Sequence, residues 1–251
     1  MRRRGRDAKD KKVGLARALS KMGFCSRSDA MEKIRAGRVR VNGAVRRDAQ
    51  TPVRMGHDRI EVDGRSVAAT KHVYWIVNKP RGIVTTAEDE KGRATIYSLL
   101  PKGVAWMGPV GRLDKASEGL LLLTNDTEWA AGITSLESHM EKKYAVQIGA
   151  VAEEALLKKL EAGVIDNGET LRAKSAKMVR AGEKNSWIEI VLEEGKNRQI
   201  RRMLDGCGME VLRLIRVGIG SVELGELKKG EARELTREEI RMLDGGQHGR
   251  G

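Results

Sequence analysis

The sequence predicts an α+β protein: a small basic helix–helix–hairpin domain followed by a larger domain of strands and helices. Three observations predict it. Two short helical patterns and two turn-centred strand pairs occupy the first seventy residues. Beyond them, strand and helix signals mix without the regular strand–helix alternation of a doubly wound parallel sheet. The charge divides at the same place. Residues 1–70 hold 19 Lys and Arg against 8 Asp and Glu, while residues 71–251 hold 29 against 27.

Residues 1–12, MRRRGRDAKDKK, offer almost nothing to bury and are expected to form a disordered basic arm. Leu15, Ala18, Leu19 and Met22 then recur at helical spacing, and Gly23 stops the helix. Ser26 or Ser28 can cap a second helix carrying Ala30, Met31 and Ile34, which Gly37 closes. Residues 39–45 alternate around Asn42-Gly43, a strong hairpin signal. A second strand pair surrounds Asp63-Gly64. Residues 66–73 read as the linker, so the first domain is drawn as 13–70 and the second as 71–243.

The second domain opens with a strand at 74–77, marked by aromatic and β-branched residues. Residues 78–82 turn the chain, and 83–86 resume extended structure. Further strands are expected at 143–148, 186–192 and 210–217, with helices at 128–135, 152–162 and 198–205. The apolar run Leu120 to Leu123 has the length of a buried strand. Residues 244–251 are Gly-rich and are expected to be a disordered tail.

Composition excludes several classes. No stretch approaches the roughly 18 apolar residues of a membrane helix, and no apolar segment follows the basic N-terminus as in a secretory signal. Cys25 and Cys207 are the only cysteines, and His57, His72, His139 and His248 are scattered, so neither type shows metal-ligand spacing. A reduced, cytoplasmic, cofactor-free protein is expected. The net charge of +13 fits a polyanionic partner, of which nucleic acid is the commonest. Trp75, Trp106, Trp129 and Trp187 are dispersed and show no base-stacking pattern.

The stretch LARALSKMGFCSRSDAMEKIRAGRVRVNG, within residues 13–65, resembles the RNA-binding module shared by the fourth small-subunit ribosomal protein and tyrosyl-tRNA synthetases. That resemblance implies an RNA backbone lying on the second helix and its adjoining loop. Arg27, Lys33, Arg35, Arg38 and Arg40 stand at matching places, and Arg46 and Arg47 extend the strip. An arginine fork suits two phosphate oxygens.

Residues 111–126, GRLDKASEGLLLLTND, are a polar loop feeding a short apolar strand. By composition alone, Asp114 is a turn residue. The loop resembles the GRLD signature of RsuA-type pseudouridine synthases, whose catalytic residue is this aspartate. VNKPRGIVTT at 77–86, the Lys-x-Tyr strand at 142–144, EGKNRQIRRML at 194–204 and the tail LRLIRVGIGSVELGELKKGEARELTREEI follow the same family in order. The resemblance covers residues 73–242 and implies a mixed, mainly antiparallel sheet. It also implies isomerisation of uridine in RNA with no cofactor.

Within that resemblance Asp114, Tyr144 and Arg201 are the catalytic set. Arg201 is preferred to Arg198 as the cation that keeps the carboxylate ionised. Tyr144 is expected against the uracil face. Arg112 and Ile200 are expected to bind substrate, Arg112 by holding a flipped nucleotide. Arg202 reads as a phosphate contact, and Asn78, Lys79 and Pro80 as scaffold. The expected partner is ribosomal RNA, met on ribosome assembly intermediates by a monomer away from membranes. EGKNRQIRRML resembles the large-subunit branch of the family. Small-subunit rRNA, tRNA or a non-catalytic role in ribosome assembly remain the alternatives.

Overall fold

The computed structural model describes residues 12–86 and 92–245. The chain forms two units. The described part of the first is 12–73, with the short pieces 103–108 and 124–128; the second holds the remainder.

In the first unit, strand β1 (Lys12–Gly14) leads into helix α1 (Leu15–Lys21), followed by α2 (Arg27–Arg35). Ser26 is the cap of α2, its hydroxyl accepting the Asp29 N–H at 3.0 Å. Strands β2 (Val39–Val41) and β3 (Ala44–Arg46) form the hairpin around Asn42-Gly43. After β4 (Pro52–Arg54), β5 (Ile60–Val62) and β6 (Arg65–Ser66) complete a four-stranded sheet in the order β3-β2-β5-β6, while β4 pairs with β1. Leu15, Leu19, Ala30, Ile34, Val39 and Val62 are buried together, so the apolar faces of helices and hairpin form one core. Lys12, assigned to the basic arm, begins β1 instead; the rest of the arm lies outside the described residues.

The second unit is built on a nine-stranded sheet. Its strands are β7 (Tyr74–Lys79), β8 (Gly108–Val110), β9 (Glu118–Thr124) and β10 (Lys142–Ile148), then, beyond a separate hairpin of β11 (Val164–Asp166) and β12 (Glu169–Leu171), β13 (Ser175–Ala181), β14 (Ser186–Leu192), β15 (Val211–Ile219), β16 (Val222–Glu223) and β17 (Ala232–Glu234). The main order is β13-β14-β10-β15-β9-β7-β17, with β8 on β9 and β16 on β15. The sheet is mixed: β15 pairs antiparallel with β10 but parallel with β9.

Helices α3 (Thr127–Thr134), α4 (Glu154–Ala162), α5 (Gln199–Asp205) and α6 (Arg237–Gly245) follow the strands. All seven residues of β9 are buried, which accounts for its unbroken apolar run: a central strand covered on both faces cannot alternate. Leu120 and Leu122 enter one core with Ile76, Trp129, Ile133 and Leu243.

Three expectations change. Residues 83–86 form no strand; Val84 makes only an isolated bridge to Thr95. Strand β13, where Lys177 to Ala181 are exposed, was not expected, because an edge strand has no buried face to pattern it. Asp244 and Gly245, assigned to the tail, end α6. The rest of that tail lies outside the described residues. No helix among the described residues is long and apolar enough to cross a membrane.

Candidate active site

Residues 111–117 join β8 to β9 and carry Asp114. Five consecutive carbonyls of this loop accept hydrogen bonds. Leu113 O accepts from the Thr85 hydroxyl at 2.6 Å, Asp114 O from the Ser117 N–H at 2.9 Å, and Lys115 O from the Gly82 N–H at 2.8 Å. Ala116 O accepts from Arg201 Nη2 at 3.2 Å, and Ser117 O from the Lys79 ammonium at 2.7 Å. A loop bonded at five successive carbonyls holds its side chains in one geometry. Gly119 completes the mount. A Cβ at this position would meet Arg216 O at 2.2 Å, so only glycine lets β9 lie this close to β15.

Lys79 has no accessible surface, and its ammonium also donates to Pro80 O at 3.1 Å. Burial pushes its pKa down to about 8, while the Glu118 and Asp114 carboxylates favour the charged form.

Asp114 opens into a cleft of about 410 Å³ whose lining includes Arg112, Tyr144, Arg198, Ile200 and Arg216. Its Oδ2 lies 3.7 Å from Arg198 Nη1, and both side chains retain solvent contact. Arg198 is the N-cap of α5 and sits in the left-handed region at φ 48. The other non-glycine residues described there are Asn42, Asp63, His139 and Asn167, types that tolerate it better. Strain of this kind persists where the surroundings impose it, and here it falls on the residue that pairs with Asp114.

The ion pair assigned to Arg201 is therefore made by Arg198. Arg201 lies within the first turn of α5, half-buried, and bonds the loop backbone instead; its Nε is buried without a partner among the described residues. Burial, and then the Arg198 charge, hold its pKa below the ordinary range, with Asp114 opposing them. Arg202 is corrected too. It is not an open phosphate contact, because Asp166 binds it at 2.5 Å and Glu169 at 2.9 Å.

Tyr144 is buried on β10, and Ile200 is buried at the start of α5. Arg112 is exposed at the cleft. Sequence reasoning missed Arg216 as a cleft residue. The signal was available: in β15 it occupies the same alternate register as buried Leu214, an inward position where arginine is rare.

Residues 73–205, over half the chain, match the family model for RNA pseudouridylate synthase, and residues 13–60 match the S4 domain. The chain is 38% identical over 232 residues to ribosomal large subunit pseudouridine synthase B of Bacillus subtilis (strain 168), covering 91% of this chain and 94% of that protein. It belongs to the RNA pseudouridylate synthase family. An uncharacterized RNA pseudouridine synthase of Rickettsia prowazekii is 37% identical over 223 residues, covering 88% and 94% of the two chains. A crystal structure of a pseudouridylate synthase superposes with a TM-score of 0.66 at 31% identity, covering 92% of this chain and 99% of that one.

The S4 domain of this synthase divides its basic strip into engaged and open cations. Arg38 forks onto Asp63 at 2.7 and 2.6 Å. Arg40 donates to Gly43 O at 3.2 Å, and Arg47 to Arg35 O at 2.9 Å. The side chains of Arg27, Lys33, Arg35 and Arg46 make no hydrogen bond or ion pair among the described residues and remain available to a polyanion.

Proposed function

We propose that this chain isomerises a uridine of large-subunit ribosomal RNA to pseudouridine, with Asp114 as the catalytic carboxylate. The observation that carries the reading is the mounting of Asp114: a carboxylate on a loop bonded at five successive carbonyls, facing a cleft that also holds Tyr144 and Ile200. The similarity to a Bacillus subtilis synthase named for the large ribosomal subunit supports the choice of RNA.

The reaction exchanges one bond for another. The C1′–N1 bond breaks, a C1′–C5 bond forms, C5 loses a proton and N1 gains one. Electrons balance without a redox partner. Asp114 acts on the nucleotide to start the exchange, with the Arg198 guanidinium beside it. Tyr144 packs on the uracil face and Ile200 adds apolar contact. Arg112, exposed at the cleft, holds the nucleotide in its flipped position. Arg201 steadies the loop through Ala116 O. In the S4 domain Arg27, Lys33, Arg35 and Arg46 grip phosphates, with Arg38, Arg40 and Arg47 shaping the strip. The work is placed in the cytoplasm.

Chemical mapping of pseudouridines across ribosomal RNA, from cells with and without the protein, tests this. Loss of a large-subunit pseudouridine supports the reading. An unchanged large-subunit map overturns it.

A further inference from the structure

Besides Lys196, which pairs with Glu169 and Glu194, the cleft holds two cations with no stated task. Arg216 lines it from β15 and Lys142 from β10. Arg216 is 5% exposed. Its Nε donates to Leu120 O at 2.7 Å, but its Nη2 is buried with no partner among the described residues. Lys142 donates to Glu193 O at 3.3 Å. Neither stands in an ion pair among the described residues, and Asp114, which lines the same cleft, pairs with Arg198 instead. Burial and the Arg216 charge both hold the Lys142 pKa down. A buried donor left unpaired, as Arg216 Nη2 is, costs free energy, and its retention calls for a ligand that completes it.

The register says which part of a nucleotide that ligand is. Arg216 and Tyr144 are direct cross-strand partners, so their side chains share one face of the sheet. Lys142 stands two residues before Tyr144 on the same strand. What touches Tyr144 therefore lies beside this pair. Arg112 and Arg198 are exposed at the cleft, whereas Arg216 and Tyr144 are buried within it; on the reading above, the part of the nucleotide that reaches them is the base.

Resting on the reading above, we propose that Arg216 and Lys142 bind the carbonyl oxygens of the target uracil and stabilise the negative charge the ring acquires as its bond to ribose breaks. Heterolysis of C1′–N1 leaves the bonding pair on N1. That charge spreads onto O2 and O4. Preformed cations favour it most strongly at this point. C5 then attacks C1′, its proton passes to solvent water, and N1 takes one up from water, so the ring leaves the site neutral. Both residues touch the reacting ring and act as catalytic residues.

The test uses the full chain in single turnover on two transcripts of large-subunit rRNA, one with uridine and one with 5-fluorouridine. Fluorine makes the ring a better leaving group and lessens its need for positive charge. Arg216→Gln and Lys142→Met are each expected to slow C1′–N1 cleavage of the uridine transcript roughly 10²-fold. The loss on the fluorinated transcript should be clearly smaller, and RNA affinity should stay within a few-fold. Equal losses on both transcripts, a loss of affinity alone, or an unchanged rate would each overturn the proposal. If Arg216→Gln does not fold, Lys142→Met alone decides by the same criteria. A wild-type protein that cleaves no uridine would overturn the proposed function itself, a result distinct from any of these.

Discussion

Replacing Lys79 by Met changes how stability depends on pH, and the structure sets the sign. The ammonium is buried beneath the Asp114 loop, with a pKa of about 8 against the ordinary 10.5. Below pH 8 both folded and unfolded chains carry the proton, and the folded state bears the whole cost of burying the charge, roughly 3 kcal/mol. Between pH 8 and 10.5 the unfolded chain binds more protons than the folded one, so stability rises with pH. Integrating from pH 7 to 9.5 gives about 2 kcal/mol, and screening near the open cleft reduces this to about 1–2 kcal/mol. Lys79→Met removes the buried charge but leaves Ser117 O and Pro80 O without a donor, each costing roughly 1–3 kcal/mol. The two effects oppose each other at pH 7, but only the wild type has the pH term. Urea unfolding of both proteins at pH 7, 8.5 and 9.5 measures it, followed by the fluorescence of Trp75, Trp129 and Trp187 in the larger unit. The wild type should gain about 1–2 kcal/mol on the variant over this range. Parallel curves would refute the reasoning, since they would mean that the Lys79 ammonium titrates as if in water.

Thr85→Val removes the hydroxyl that bonds Leu113 O and should cost roughly 1–3 kcal/mol in unfolding free energy. It should also lower turnover while leaving RNA affinity unchanged, since Thr85 supports the loop and not the RNA. Arg198→Met breaks a half-exposed pair worth about 0–1 kcal/mol, so its effect should appear in turnover and not in melting; Arg201→Met, which frees the Ala116 carbonyl, should lower both. In the S4 domain, joint replacement of Arg27, Arg35 and Arg46 by Gln should make the slope of log affinity against log salt shallower by about 2–3. Arg38→Gln should change that slope much less, because Asp63 already occupies its guanidinium; salt titrations of the two variants compare them.

Much of the fold was legible because local chemistry and burial agree. The Ser26 cap, the Asn42-Gly43 turn and the apolar faces of α1 and α2 each point to the architecture seen. Edge strand β13 was not legible, since its exposed residues carry no burial pattern. The short hairpin of β11 and β12 was passed over although Asn167-Gly168 stands at its turn. Helix α6 was passed over although Thr236 and Glu239 cap each other's N–H groups in the reciprocal way that marks a helix start. At the site, Asp114, Tyr144, Arg112 and Ile200 all reach the same cleft. The choice between Arg198 and Arg201 was not readable, because it depends on the start of α5, where left-handed Arg198 meets the carboxylate and Arg201 the backbone. Lys79, read as scaffold, is completely buried and bonds Ser117 O of the Asp114 loop.

The most direct measurement is tritium release from C5-labelled uridine in ribosomal RNA by the wild type and by Asp114→Asn. The substitution keeps the size of the side chain and removes its charge, at a position where the backbone bonds of the loop do not involve the carboxylate. The wild type should release tritium stoichiometrically with modified sites. Asp114→Asn should release none above background while binding RNA within a few-fold of wild type. Near-normal release by the variant would contradict the account and move the chemistry to another residue of the cleft.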